Sequence, residues 1–177
     1  MEIKVNNKNY LCDLWDTPGV EKLRSFTKIF INNSKIVLIV FSIDNKQTFK
    51  EVDFWVKCSK EVLGTDGYIL ALVANKSDRY KEEKVKLEDI KKKAEELNVK
   101  FKLTSAANSG ITFKKFLNDL LEEYINQYHP EEYKESNSKT IKIKSEKNNI
   151  KMEKNVIIEI KEYIYLIMKD FLIIFNR

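Results

Sequence analysis

Glycine and proline are scarce in this chain, with four and two in 177 residues. Few positions can therefore take a positive φ or bring bare backbone against a ligand. The glycines are Gly19, Gly64, Gly67 and Gly110, and none precedes Lys-Ser or Lys-Thr, so these residues contain no G-x-x-x-x-G-K-[ST] phosphate loop. Arginine is nearly absent too: Arg24, Arg79 and Arg177 are the only ones, and lysine carries almost all of the +5 net charge. A nucleic-acid face would favour arginine with interleaved aromatics. Residues 134–155 hold seven lysines against three glutamates, and the remainder is near neutral, which argues against a nucleic-acid partner. Cys12 and Cys58 stand alone within apolar patterns, as buried reduced thiols rather than a disulfide frame. Met1–Tyr10 is polar and has no signal-peptide core, so a cytoplasmic location is expected.

Against these absences stands enough apolar material, 43% of residues, for one ordinary domain with a tail. Residues 1–16 read as two short strands around an Asn6-Asn7-Lys8-Asn9 turn, the second strand being Tyr10–Trp15. Lys35–Phe41 (KIVLIVF) and Tyr68–Ala74 (YILALVA) are unbroken apolar runs of strand length, the pattern of strands covered on both faces. Lys100–Thr104 is a shorter strand. Between them lie segments of helical period: 21–31 with Leu23, Phe26, Ile29 and Phe30 on one face, 47–63, 87–97 and 111–128. Strands and helices in alternation predict an α/β fold, a doubly wound and mostly parallel sheet whose ligands sit beyond the strands' carboxyl ends.

Three of those strand ends carry polar sequence. After Tyr10–Trp15 comes Asp16-Thr17-Pro18-Gly19, after Tyr68–Ala74 comes Asn75-Lys76-Ser77-Asp78, and after Lys100–Leu103 comes Thr104-Ser105-Ala106. Singly each has a bland reading as a turn or polar loop. Their occurrence in this order at successive strand ends is not bland. WDTPGVEKLRS resembles the second switch segment of Rab and other Ras-superfamily small GTPases, NKSD their guanine-specificity motif, and TSAANSG their TSAK-type loop. FSIDNKQTFKEVDFW is also Rab-like. The resemblance covers about residues 1–128 and implies a small-GTPase-like (P-loop NTPase) fold that binds GTP or GDP with magnesium.

By that resemblance Asp78 would accept two hydrogen bonds from the N1–H and exocyclic amine of guanine, a pair adenine does not offer. Lys76 would lay its stem along base and sugar, and Asn75 would tie neighbouring loops together. The Ala106 N–H, with Ser105 beside it, would meet the guanine carbonyl. Asp16 would hold magnesium through water, with Thr17 in the same switch segment, and the Gly19 N–H would reach the γ-phosphate. The resemblance also implies effector and regulator partners and a role in vesicle traffic on endomembranes.

Departures from the pattern bear on activity. Met1 aligns near the family's second strand, so its first strand, phosphate loop, first helix and first switch are expected upstream, the mark of an N-terminally truncated gene model. The missing strand would lie between Tyr10–Trp15 and Lys35–Phe41, leaving two apolar edges unless another segment fills the gap. Each charge-assisted phosphate contact contributes about 1.5–3 kcal/mol, so losing two or three weakens binding on the order of 10⁴-fold. Val20 stands where the family's water-orienting glutamine would be, so no catalytic residue is assigned. Ala107 replaces the TSAK lysine, and Pro18 stiffens the switch entry. The alternative reading is a pseudo-GTPase, a non-enzymatic interaction module on the same scaffold.

Residues 129–155 read as a polar, lysine-rich linker. Val156–Phe175 (VIIEIKEYIYLIMKDFLIIF) is rich in isoleucine and aromatics, and residues 156–177 read as an apolar helix, docked on the core or bound to a partner or membrane surface, or else as translated non-coding sequence. Five charges in twenty residues disfavour a spanning helix. No cysteine follows Cys58, which excludes a prenylation cysteine in this sequence; the basic run would suit peripheral contact with an anionic membrane through residues 134–175, although solvated charge is the commoner meaning of such runs.

Overall fold

The computed structural model describes residues 2–5, 8–16, 24–108, 110–131 and 172–176, without the side chains of Glu2, of residues 24–27 or of residues 172–176. In chain order the elements are β1 (Glu2–Val5), β2 (Lys8–Leu11), β3 (Asp13–Asp16), α1 (Arg24–Ile31), β4 (Ile36–Ser42), α2 (Lys46–Lys50), α3 (Val52–Leu63) and β5 (Ile69–Asn75). A 3₁₀ turn over Ser77–Glu82 follows, then α4 (Leu87–Leu97), β6 (Lys100–Leu103), α5 (Ile111–Tyr128) and β7 (Leu172–Asn176). A five-stranded sheet runs β3-β7-β4-β5-β6, and β1 and β2 form a separate antiparallel pair.

The unbroken apolar runs behave as their pattern requires. All seven residues of β4 are buried, and they divide between two cores. Ile36, Leu38 and Val40 face α5 together with Ile69, Ala71 and Val73 of β5, and with Ile3, Val5 and Cys12 at the amino end. Val37, Ile39 and Phe41 face the other side with Leu72 and Ala74, where Ile31, Trp55, Val56, Ile90 and Ala94 pack. With alternate side chains entering opposite cores, a polar residue anywhere in the run would be buried. β4 pairs with β5 and β5 with β6, both in parallel, so all three end on one rim.

Several expectations need correction. The strand read as Tyr10–Trp15 is two strands: the chain breaks at Cys12, β2 turns back onto β1, and only β3 joins the main sheet. Cys12 is buried at this corner, while Leu11 is exposed at 75%. In α1 Ile31 is fully buried and Phe30 packs against the core, but Ile29, expected on that face, is 70% exposed. Leu23 lies outside the described residues. The helix read as 47–63 is interrupted at Glu51 between α2 and α3. Asn45 caps α2 by accepting the Gln47 N–H at 3.0 Å.

The largest correction concerns the tail. Residues 172–176 are a strand rather than the end of a helix, and β7 runs antiparallel to both neighbours, filling the position between β3 and β4. The sheet therefore has no gap there. A docked helix would have left the facing N–H and C=O groups of β3 and β4 unpaired, whereas a strand of apolar, β-favouring Leu-Ile-Ile-Phe satisfies both rows. Residues 156–171 and the linker beyond Glu131 lie outside the described residues. Among the described residues no helix is long and apolar enough to cross a membrane.

Candidate functional site

Because β7 is antiparallel to both β3 and β4, β3 runs in the same direction as β4, β5 and β6. The carboxyl ends of all four therefore point the same way, and the Asn75–Asp78 and Thr104–Ala106 segments share the rim where β5 and β6 end. Asp16 ends β3 at the level of Leu38, both paired with Ile173. Thr17 and Gly19, the other switch candidates, lie outside the described residues, as does Val20.

Asn75 anchors the centre. It ends β5 opposite Ser42 and is 2% exposed. Its carbonyl accepts the Ile43 N–H at 3.1 Å, and its side-chain Oδ1 accepts the Ala106 N–H at 3.2 Å. One residue thus joins the end of β4 to the loop after β6. Thr104, also buried, completes the tie: its N–H donates to the Ala74 carbonyl at 2.8 Å and its carbonyl accepts the Ser77 N–H at 2.9 Å. The Thr104 hydroxyl is buried without a hydrogen-bond partner.

The chain then bends sharply. Lys76 takes left-handed backbone angles, φ 63° and ψ 35°, which cost a residue with a Cβ some energy. The bend starts the 3₁₀ turn, closed by the Arg79 N–H on the Lys76 carbonyl at 2.8 Å. That turn carries Asp78 to the solvent face, where it accepts a hydrogen bond from the Ser105 hydroxyl. The Asn108 N–H in turn donates to Ser105 Oγ at 3.3 Å. Asn75, Lys76, Asp78, Ser105 and Ala106 are therefore brought together by two loops, as their order in the sequence implied. One detail differs: the Ala106 N–H is directed at Asn75, so a base carbonyl would have to share or take that donor.

The sequence did not reveal a second carboxylate. Asp44, just past β4, accepts from Ser42 Oγ at 2.5 Å and forms ion pairs with Lys76 Nζ at 3.4 Å and Arg79 Nη1 at 3.0 Å. Its side chain is 10% exposed. Burial pushes its pKa up, but the Ser42 hydroxyl, Arg79 and Lys76 outweigh that and hold the carboxyl below its usual range. Thr48 locks the same corner by accepting the Ser42 N–H at 2.9 Å and donating to the Asn45 carbonyl at 2.7 Å. The only sequence signal was an acidic residue directly after an apolar strand.

Chemically, the rim offers an exposed carboxylate on a fixed turn, a lysine stem beside it and a backbone donor across from it. A flat base with two adjacent N–H donors fits that set. For magnesium the donor set is thinner. Among the described residues no three His, Cys, Asp or Glu side chains gather as a metal cluster, leaving Asp16 as the candidate ligand. One carboxylate suits magnesium only where phosphates and water complete the shell.

The Ras family model matches residues 1–126. Ras-related protein Rab-44 is 34% identical over 103 residues in Homo sapiens, covering 58% of this chain and 10% of that protein, and the Mus musculus protein is 32% identical over the same length. Ras-related protein RabC of Dictyostelium discoideum is 37% identical over 100 residues, covering 56% of this chain and 50% of that protein. The chain thus spans half or less of these relatives. With the family match running from β1 nearly to the end of α5, the chain is a Rab-like member of the Ras family of small GTPases.

Proposed function

We propose that this chain recognises the guanine base of GTP and GDP through Asp78, Lys76, Asn75, Ser105 and Ala106 but holds the phosphates weakly. The reading rests on one observation, the convergence of the Asn75–Asp78 turn and the Thr104–Ala106 loop around an exposed carboxylate. Its second half rests on the sequence, which contains no G-x-x-x-x-G-K-[ST] to supply clustered N–H groups and a lysine. Asp16, with magnesium, and the Thr17–Gly19 segment would then be the chain's own contribution at the phosphate end. Val20 cannot orient water, so hydrolysis by these residues would be slow.

Titration with guanosine, GDP and adenosine tests both halves. Guanosine and GDP should bind within about tenfold of each other, with adenosine far weaker. Micromolar or tighter GDP binding, well beyond guanosine, would overturn the claim of weak phosphate contact. Equal binding of adenosine and guanosine would overturn the base site.

Family members act with effectors and regulators, and we place this chain among partners of that kind in membrane traffic, on the cytoplasmic face of endomembranes. A pseudo-GTPase docking role is the second reading, favoured by Val20 at the place of the water-orienting glutamine. The basic run within residues 134–155 supports peripheral contact with an anionic membrane through residues 134–175. Flotation with phosphatidylserine vesicles should weaken when the lysines of that run are replaced by glutamine, and unchanged flotation would remove the membrane contact.

A further inference from the structure

Two carboxylates compete for the same two cations at this rim. Asp44 and Asp78 both lie close in sequence or space to Lys76 and Arg79, yet both cations pair with Asp44, Arg79 keeping only a longer second contact with Glu82 at 3.9 Å. Asp78 has the Ser105 hydroxyl as its partner, and among the described residues it makes no ion pair. The preference has a geometric cause. The left-handed turn at Lys76 and the closing Arg79 N–H fix the 3₁₀ segment, while Ser42 holds the Asp44 carboxylate from behind. Asp44 is then presented to both cationic head groups, one on each oxygen.

From this arrangement we propose that Asp44 is a positioning residue for base recognition, holding the Lys76 and Arg79 head groups away from Asp78 so that this carboxylate stays open to a ligand with two adjacent N–H donors. The proposal deepens the guanine reading above and rests on it. Two consequences are combined in one contact. Drawing the Lys76 ammonium toward Asp44 stretches its methylene stem beside the site, where an apolar wall is needed against a flat ring. It also spares the ligand from displacing a cation from Asp78, which would cost a charge-assisted hydrogen bond. Asp44 touches no ligand in this account. It acts through Lys76 and Arg79.

The exchange Asp44→Asn keeps size and the Ser42 contact but releases the Lys76 ammonium, while Arg79 retains Glu82 as a partner. Guanosine affinity should fall about tenfold, and its advantage over inosine, which lacks the exocyclic amine, should shrink. Adding Lys76→Met, which keeps an unbranched stem and removes the ammonium, should recover most of that loss. A purely structural role for Asp44 would give no such recovery, and that result would overturn the proposal. A second measurement needs no nucleotide. In the unliganded protein the NMR signal of the Lys76 ammonium should respond to Asp78→Asn in the Asp44→Asn background and not in the native one. An equal response in both backgrounds would overturn the proposal, whatever guanosine does. Should the native chain fail to bind guanosine while this NMR pattern holds, the base-site reading falls and the charge arrangement stands.

Discussion

Leu38 pairs with Ile173 in the antiparallel ladder between β4 and β7. On its other side Ile173 pairs with Asp16, so the strand carrying the phosphate-end candidate is joined to the rest of the sheet through the C-terminal strand. No ladder runs directly between β3 and β4. The position of Asp16 relative to Asn75 is thus set by residues far along the chain.

Breaking β7 should be felt on both sides. Ile174 pairs with Trp15 and with Val37, and proline there removes a donor from the middle of a three-strand ladder. Ile174→Pro should cost about 3 kcal/mol or more in urea unfolding. Hydrogen exchange should quicken across Asp13–Asp16 and Ile36–Ile39, with β5 and β6 still protected. Unchanged protection in β3 would show that β7 does not hold it.

The two-sided core predicts unequal costs for similar truncations. Phe41 is fully buried and its ring lies 5.0 Å from that of Phe49, whereas Ile29 is 70% exposed. Phe41→Ala should lose about 3–5 kcal/mol, and Ile29→Ala should stay within about 0.5 kcal/mol. Chemical denaturation of the two variants side by side reads the difference.

Removing the charge of Asp78 tests the base site directly. Asp78→Asn replaces one acceptor oxygen by a donor that opposes the N–H groups of guanine. Loss of one charge-assisted bond, about 1.5–3 kcal/mol, should weaken guanosine roughly 10- to 150-fold. Thermal denaturation should move little, because Asp78 is exposed.

An ion pair between α3 and α4 should appear in the alkaline limb of stability. Lys93 Nζ lies 2.9 Å from Asp53 Oδ1, and hydrogen bonding to Asp53 raises the Lys93 pKa against the opposing effect of burial. A raised lysine pKa stabilises the fold below the unfolded value of about 10.4 and loses that contribution as pH rises through the folded value. Asp53→Asn should therefore lower the melting temperature at pH 8, with the gap to the native protein closing above the ordinary lysine range.

Much of this was legible in the chain itself. KIVLIVF and YILALVA have the length and β-branched content of strands covered on both faces, and Phe113, Phe116, Leu117, Leu120, Tyr124 and Ile125 are buried on α5 as their spacing demands. NKSD and TSA were readable because side-chain order along a strand end survives folding. The exposure of Ile29 was not, since an eight-residue helix carries too few turns to set its phase by pattern alone.

The amino-acid sequence by itself determined the alternation of strand and helix, the two-faced burial of the central strands and the residues at their carboxyl ends, because these follow from local periodicity and backbone chemistry. Only the tertiary structure decided that Leu172–Asn176 is a strand between β3 and β4, and that Asp44 rather than Asp78 holds Lys76 and Arg79. An apolar run takes the conformation that satisfies the backbone groups it meets, and a lysine pairs with the carboxylate the fold aims at it. Both partners are supplied by distant parts of the chain.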